Sequence, residues 1–578
     1  MTQAEFPSSE VWTGIAAAPG LAAGPVVKWI GDQFEIPRFT PSDPESEWER
    51  VLKSLRKARD EILLLKDDVS RRLGESEAGI FQAHLLFLED PSLLSRTRAG
   101  IAAGINAEAS WMTAVNFFAN QLAALPDPIF RERANDVRDV GGRVLAALLC
   151  RPPVPGLQLD RAAVIVAQDL APSQTVALDK KQVLAICTAG GGPASHTAIL
   201  AKTLRLPAIV GLGSRLLDLP DGIEVLVDGN LGRLTVNPAE EEAAQFRVQA
   251  QLAGQFNNQA QALAAQPAVS SDGHRIEVAA NIGGKEDALA AVEFGADGVG
   301  LFRTEFLFLN RQALPTEDEQ VAAYRAVFEV IGKRPLVVRA LDIGGDKSVP
   351  YLDFHGEANP FLGWRGVRMI DERPDILQIQ YRAFLRAAIG CDLRVMIPMV
   401  SLVDEVHRAR RLFEDVRRDL INQAVPCANR VQFGIMVETP AAALLAEHLA
   451  PLVDFFSIGT NDLAQYTLAA DRTNARVSAL ASPFHPAVLR LIAYTIQAAH
   501  ASGKWVGLCG EFAGDARAVP VLLGLHLDEF SVSPSLVPVI KQVIRRLSRQ
   551  ACEKIAIHVL ALPGVEPILT YLEKMELP

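Results

Sequence analysis

Eight short apolar strands alternate with longer helical stretches over the C-terminal half of this chain, and few folds accept that order. The strands read as IEVAAN (276–281), GVGLF (298–302), LVVRA (336–340), LRVMIP (393–398), QFGIMV (432–437), DFFSI (454–458), WVGLC (505–509) and DEFSV (528–532). Strand and helix taken in turn eight times predict a parallel (β/α)8 barrel. A doubly wound open sheet has the same periodicity, and periodicity alone does not separate the two.

The barrel reading carries its own test, because chemistry in such barrels gathers at the C-terminal ends of the strands. Arg303 closes the second strand in LFRTEF, and Arg339 and Asp342 close the third in VVRALDIGGDK. Glu438 closes the fifth, and Ser457, Asn461 and Asp462 follow the sixth, with Arg472 just beyond. Cys509 and Glu511 close the seventh, and the insertions after the second and third strands supply Lys347, Asn359 and Arg365. Arginines that converge on one mouth call for an anion to neutralise them, and their forks suit carboxylate and phosphate oxygens. Glu438 and Asp462 offer hard oxygens to Mg2+. Asn461 supplies a neutral amide to the same anion. Cys509, at a strand end among cationic groups, is a candidate for proton transfer.

The N-terminal part has a different texture. Gly- and Pro-broken strands in WTGIAAAPGLAAGPVVKW give way to helical spacing over 42–150, and strands return in AAVIVAQDL, QVLAICTAG, PAIVGL, IEVLVDG and GRLTVNP. The simplest reading is one small α/β domain, 1–41 with 152–238, interrupted by an all-α insert over 42–151. Residues 239–270 are rich in Ala, Gln and Glu and read as a solvated linker helix, and 271–578 form the barrel domain.

Within the α/β segment, His196 stands in GGGPASHTAILAK. A glycine run followed by a helix start leaves free N–H groups beside the imidazole, which suits negative charge. Such a histidine could accept a phosphoryl group on nitrogen. Composition sets the bounds. A net charge of −11 over 578 residues argues against a nucleic-acid binder. The six cysteines lack C-x-x-C spacing, so neither a disulfide framework nor a zinc site is expected. No basic n-region and no bilayer-length apolar run is visible, so a cytoplasmic protein without membrane insertion is expected.

In seven ordered motifs the chain resembles the Enzyme I family, the phosphoenolpyruvate-protein phosphotransferases of the bacterial sugar phosphotransferase system. The motifs are AGGGPASHTAILA, FRTEFLF, LDIGGDK, NPFLGWRG, VETPAA, SIGTNDLAQYTLAADR and LCGEFAGD. The resemblance implies that His196 is the phosphorylated histidine, attacking through Nε2, and that Cys509 protonates the enolate carbon to give pyruvate. It implies that Arg303, Arg339, Asn461, Asp462 and Arg472 bind phosphoenolpyruvate, with Lys347 and Arg365 lining the same site. Glu438 and Asp462 would hold Mg2+. Arg133, Asp136 and Arg138 in RERANDVRDV match a segment near the surface for the histidine phosphocarrier protein HPr. A homodimer through the barrel is implied, and so is a swivelling α/β domain, with hinges expected near 235–240 and 264–271. Where the family carries arginine, this chain has Lys202, which keeps the charge and loses the bidentate fork.

Overall fold

The computed structural model describes residues 9–575 apart from 30–34, 74, 125–127, 152–158, 160, 171–181, 193–194, 205, 310, 346–348, 353–356 and 475. It leaves out the side chains of 70–73, 75–78, 80, 128–132, 196, 199 and 203. The chain forms two compact units, 1–255 and 256–578.

In the first unit, β1 (Glu10–Thr13), β2 (Ile15–Ala18) and β3 (Leu21–Trp29) join β4 (Ala163–Ala167), β5 (Val183–Thr188), β6 (Ala208–Val210), β7 (Glu224–Asp228) and β8 (Arg233–Val236) in one sheet. Its order is β1-β8-β7-β3-β4-β5-β6-β2. Val26 faces Val164 in parallel register, so β3 and β4 are neighbours although the helices lie between them in sequence. β4 is buried along its whole length because both faces of the sheet are covered. Alternate residues serve opposite cores, Ala163, Ile165 and Ala167 on one side and Val164 and Val166 on the other.

Between β3 and β4 run α1 (Pro44–Leu73), α2 (Glu75–Leu88), α3 (Pro91–Ala102), α4 (Ala107–Ala123) and α5 (Pro128–Leu148). Pro91 stands in the first turn of α3, where its missing N–H costs nothing, and Asp90 caps the N–H groups of Ser92 and Leu93. The helices close on a core that includes Val51, Phe81, Trp111 and Val144. The Trp111 indole donates to the Gly141 carbonyl at 2.9 Å.

The second unit is the expected barrel. The strands are β10 (Arg275–Ile282), β11 (Val299–Arg303), β12 (Pro335–Arg339), β13 (Asp392–Ile397), β14 (Val431–Val437), β15 (Phe455–Ile458), β16 (Trp505–Leu508) and β17 (Glu529–Val532). Each pairs in parallel with the next, and β17–β10 and β10–β11 pairings close the ring, which excludes the open sheet. A two-residue strand, β9 (Ala268–Val269), adds antiparallel to β10. Leu301, Val337, Met396, Met436, Phe455 and Cys509 fill the barrel interior. Towards the start of the strands the interior turns polar. Glu529 is buried there with one oxygen 4.0 Å from Arg394 and the other without a hydrogen-bond partner among the described residues.

α7 (Glu240–Ala262) lies within the helix foreseen over 239–270, and the segment after it, where one of the two hinges was expected, is bonded into the barrel. Lys541, fully buried, donates to the carbonyls of Ala264 (3.3 Å), Gln266 (3.4 Å) and Gly295 (2.7 Å) and to Asp297 (2.7 Å). Arg545 adds bonds to the carbonyls of Leu263 (2.9 Å) and Pro267 (3.2 Å). These carbonyls lie at and beyond the helix C-terminus, where orphan acceptors and the helix dipole favour cations.

Candidate active site

The strand ends of the barrel assemble a dense ion-pair network. Arg339, at the end of β12, is almost wholly buried. It donates to Glu305 at 2.8 Å and to Glu438 at 3.5 Å, and lies 3.6 Å from Asp342. Arg365 forks onto both oxygens of Asp342 at 3.0 and 2.6 Å. Its remaining edge reaches Asp462 at 3.4 Å and the Tyr466 hydroxyl at 3.1 Å. Arg472 donates to the other Asp462 oxygen at 3.2 Å. Burial by itself lowers the Arg339 guanidinium, but Glu305, Asp342 and Glu438 around it raise it, so it stays charged.

The sequence pointed to arginines in want of an anion, and the structure supplies protein carboxylates to three of them. Arg339, Arg365 and Arg472 are already met by Glu305, Asp342, Glu438 and Asp462. Glu305 went unnoticed in the sequence although it sits two residues after Arg303 in FRTEF, and Tyr466 lies one helical turn after Asp462.

Glu438 is fully buried, and its carboxyl is pushed up to about 7. Burial is the main cause, followed by the nearby Asp462 and Asp342 charges, while Arg339 and Arg365 pull it down. Two buried carboxylates that repel each other form a site a hard cation would relieve. The Met399 N–H donates to the second Glu438 oxygen at 2.8 Å, and Met399 does so with φ at 61°, a left-handed backbone rare for such a side chain. Among the described residues, no group of three or more His, Cys, Asp or Glu could hold a metal by itself. The pair offers hard oxygens of the kind that can hold a cation such as Mg2+ together with waters and other ligands.

Cys509 follows β16 and is buried at the centre of the mouth. The Ser457 hydroxyl donates to its sulfur at 3.3 Å. Burial pushes the thiol up to about 11, with Ser457, Arg339 and Arg303 pulling the other way. The cationic neighbours do not make it a thiolate. At neutral pH the thiol keeps its proton. Arg303 ends β11 half-buried, and the Asn461 side-chain Oδ1 accepts the Glu511 N–H at 3.1 Å. Lys347 lies outside the described residues.

The second candidate site is in the other unit. α6 (His196–Leu204) begins at His196, whose side chain lies outside the described residues. Ser195 caps it by accepting the Ala198 N–H at 3.3 Å. Gly191 has φ at 89°, which explains one glycine of the run. Thr197 donates to Asp169 at 3.0 Å, and Asn135 of α5 donates to the other Asp169 oxygen at 3.1 Å. The structure thus brings the Arg133–Arg138 segment to the helix that begins with His196. Arg133 is half exposed, and Arg138 is exposed beside Asn120 and Asn135. Asp136 is different. It is 1% exposed, faces His84 at 3.6 Å and receives Arg133 at 3.3 Å. It is placed to hold Arg133, not to touch a partner. Lys202 is exposed.

Comparison with known proteins agrees with this geometry. Residues 257–549 match the family described as PEP-utilising enzyme, PEP-binding domain. Residues 159–232 match its mobile domain and 13–133 its N-terminal domain. The chain is 41% identical over 563 residues to the phosphoenolpyruvate-protein phosphotransferase of Geobacillus stearothermophilus, with 97% of each chain covered. The chain belongs to the phosphoenolpyruvate-protein phosphotransferase family. Members from Staphylococcus carnosus and Bacillus subtilis are 40% and 39% identical over the same length, covering 97% of this chain and 98% and 99% of theirs. Within this phosphotransferase, no helix among the described residues is long and apolar enough to cross a membrane.

Proposed function

We propose that this phosphotransferase takes the phosphoryl group of phosphoenolpyruvate onto His196, releases pyruvate, and passes the group to a histidine of HPr. The observation that carries the reading is the barrel mouth, where Arg339, Arg365 and Arg472 are held by buried carboxylates and the buried Cys509 thiol lies within the influence of Arg339 and Arg303. Phosphoryl transfer asks for positioning and cations more than for a strong base. Arg303, Arg339, Arg365, Asn461 and Arg472 supply the positioning, with Lys347 a further candidate.

Glu305, Asp342, Glu438 and Asp462 already meet Arg339, Arg365 and Arg472, so a multiply charged anion has to compete with them for those guanidiniums. Glu438 and Asp462 are the residues that would hold Mg2+, which when bound supplies charge neutralisation and polarises phosphate oxygens. The Arg339 edge that meets Glu438 and the Arg365 and Arg472 edges that meet Asp462 are the ones that would turn to the substrate. Cys509 gives its proton to the enolate carbon, and the Ser457 hydroxyl donates to the sulfur as negative charge grows there.

His196 needs only to be neutral to act as the acceptor. Because His196 and the barrel mouth belong to separate units joined through α7, the carrier histidine must travel between donor and acceptor. We assign HPr docking to the helical insert, with Arg133 and Arg138 in contact and Asp136 holding Arg133. The family resemblance supports a homodimer through the barrel, a cytoplasmic location and the division into an α/β domain (1–41 and 152–238), a helical insert (42–151), a linker helix (239–270) and a barrel (271–578).

The test mixes the protein with Mg2+, labelled phosphoenolpyruvate and HPr. The expected result is acid-labile label on the chain that moves to HPr, and none on His196→Ala. Label that stays on the chain, or that survives His196→Ala, overturns the assignment.

A further inference from the structure

Gln380 is a polar residue on an otherwise apolar helix face. It lies on the helix Pro374–Ala387, whose buried side also includes Ile376, Tyr381, Phe384 and Leu385. The side chain is completely buried. Such a group is costly unless every polar atom is paired, and here each one is. Gln380 Oε1 accepts the backbone N–H of Leu341 at 2.8 Å, in the loop after Arg339. Its Nε2 donates to the Thr304 hydroxyl at 3.1 Å, next to Arg303, and to the Tyr324 hydroxyl at 3.2 Å. Thr304 passes its own proton to the Arg339 carbonyl at 2.8 Å, and Tyr324 passes its proton to Gln320 at 3.1 Å.

The donor directions allow one orientation of the amide. Leu341 N–H can only donate, so it must face oxygen. The protons of Thr304 and Tyr324 are committed elsewhere, so both hydroxyls must face the Nε2 group. Burial pushes the Tyr324 phenol up, which keeps its proton in place. One side chain thus ties the exit of β11, which carries Arg303, to the exit of β12, which carries Arg339 and Leu341.

We propose that Gln380 is a positioning residue for phosphoenolpyruvate, fixing the spacing of Arg303 and Arg339 through their backbones. This rests on the reading of the barrel mouth as the phosphoenolpyruvate site. Misplacing a substrate-holding group by a fraction of an ångström to an ångström costs about ten- to a hundredfold in such sites.

The test compares Gln380→Met and Gln380→Glu with the wild type in the full-length protein. Binding of phosphoenolpyruvate with Mg2+ is read by calorimetry, KM and kcat by pyruvate release, and folding by melting temperature. Gln380→Met is expected to raise Kd and KM about tenfold, more than it lowers kcat, in protein that melts cooperatively. Gln380→Glu is expected to bind well while its carboxyl is protonated and can donate to Thr304, and to lose affinity as pH rises and the carboxyl ionises. If Gln380→Met fails to fold, the pH-dependent affinity of Gln380→Glu decides. Unchanged Kd and KM in folded Gln380→Met, or a pH-independent Gln380→Glu with wild-type affinity, overturns the proposal. Failure of the wild type to bind phosphoenolpyruvate overturns the underlying site reading instead.

Discussion

The barrel mouth and the His196 loop solve opposite problems. At the mouth, nearly every charged side chain is buried against a counter-charge, and the backbone of Met399 is held in a strained conformation to reach Glu438. Around α6, the contacts of the described side chains are short-range and mostly uncharged: Ser195 caps the helix, Thr197 donates to Asp169 and the Leu170 carbonyl, and Lys202 is exposed. A site that must stabilise one transition state gains from preorganisation. A carrier that must meet two partners in turn gains from few fixed contacts, because each would have to break at every exchange.

That contrast can be broken first at Cys509. Cys509→Ala is expected to cut pyruvate formation by about 10²–10⁴-fold, the range for loss of a placed acid. Transfer from phosphorylated His196 to HPr, followed separately by label movement, should remain. Loss of both steps would mean the thiol serves the carrier as well as the donor site.

A second, intermediate effect concerns the barrel interior. Burial raises Glu529 to about 8, with Glu277, Asp528 and Asp297 adding to the rise and Arg394 opposing it. A carboxyl held above its ordinary range favours the folded state only where it is protonated there. Its contribution is whole below the ordinary carboxylate range and is lost as pH rises through about 8. The melting temperature of the barrel should therefore decline between about pH 5 and 8, and Glu529→Gln should flatten that decline. An unchanged slope in the variant would place the pH sensitivity elsewhere.

The smallest effect is expected at the carrier. Lys202→Arg restores the planar fork at an exposed position, where ion pairs are worth about 0–1 kcal/mol. Rates of His196 phosphorylation should change by no more than about fivefold. A larger change would show that the loop relies on fixed contacts after all, and the contrast with the mouth would weaken.

Much of this was legible in the sequence, for physical reasons that also mark where it was not. Barrel strands buried on both faces read as apolar runs, so all eight were visible, and Arg303, Arg339, Glu438 and Cys509 stood out where those runs stop. The counter-charges were harder to see. Glu305 looks like an ordinary loop acid until the fold brings it to Arg339, and the strand-end position that marks Asp342 does not reveal its pairing with Arg365. Gln380 meets Thr304 across 76 residues, so no local pattern announces it. Asp136 reads as a surface acid because its burial depends on His84, which comes from another helix. Pairings made only by the fold leave no periodic trace.

Lys541 has a bearing on how the barrel could be prepared alone. Its ammonium takes acceptors from Ala264, Gln266, Gly295 and Asp297, two of them contributed by chain that precedes the first long barrel strand. A fragment cut at residue 271 keeps every strand of the closed ring but strips Lys541 and Arg545 of much of their bonding. A buried cation left short of acceptors destabilises, so such a fragment should be poorly soluble or fold only at raised pH. Beginning the fragment within α7, before Phe256, retains those carbonyls and the Arg546–Phe256 contact, so this cut should give the more stable fragment of the two.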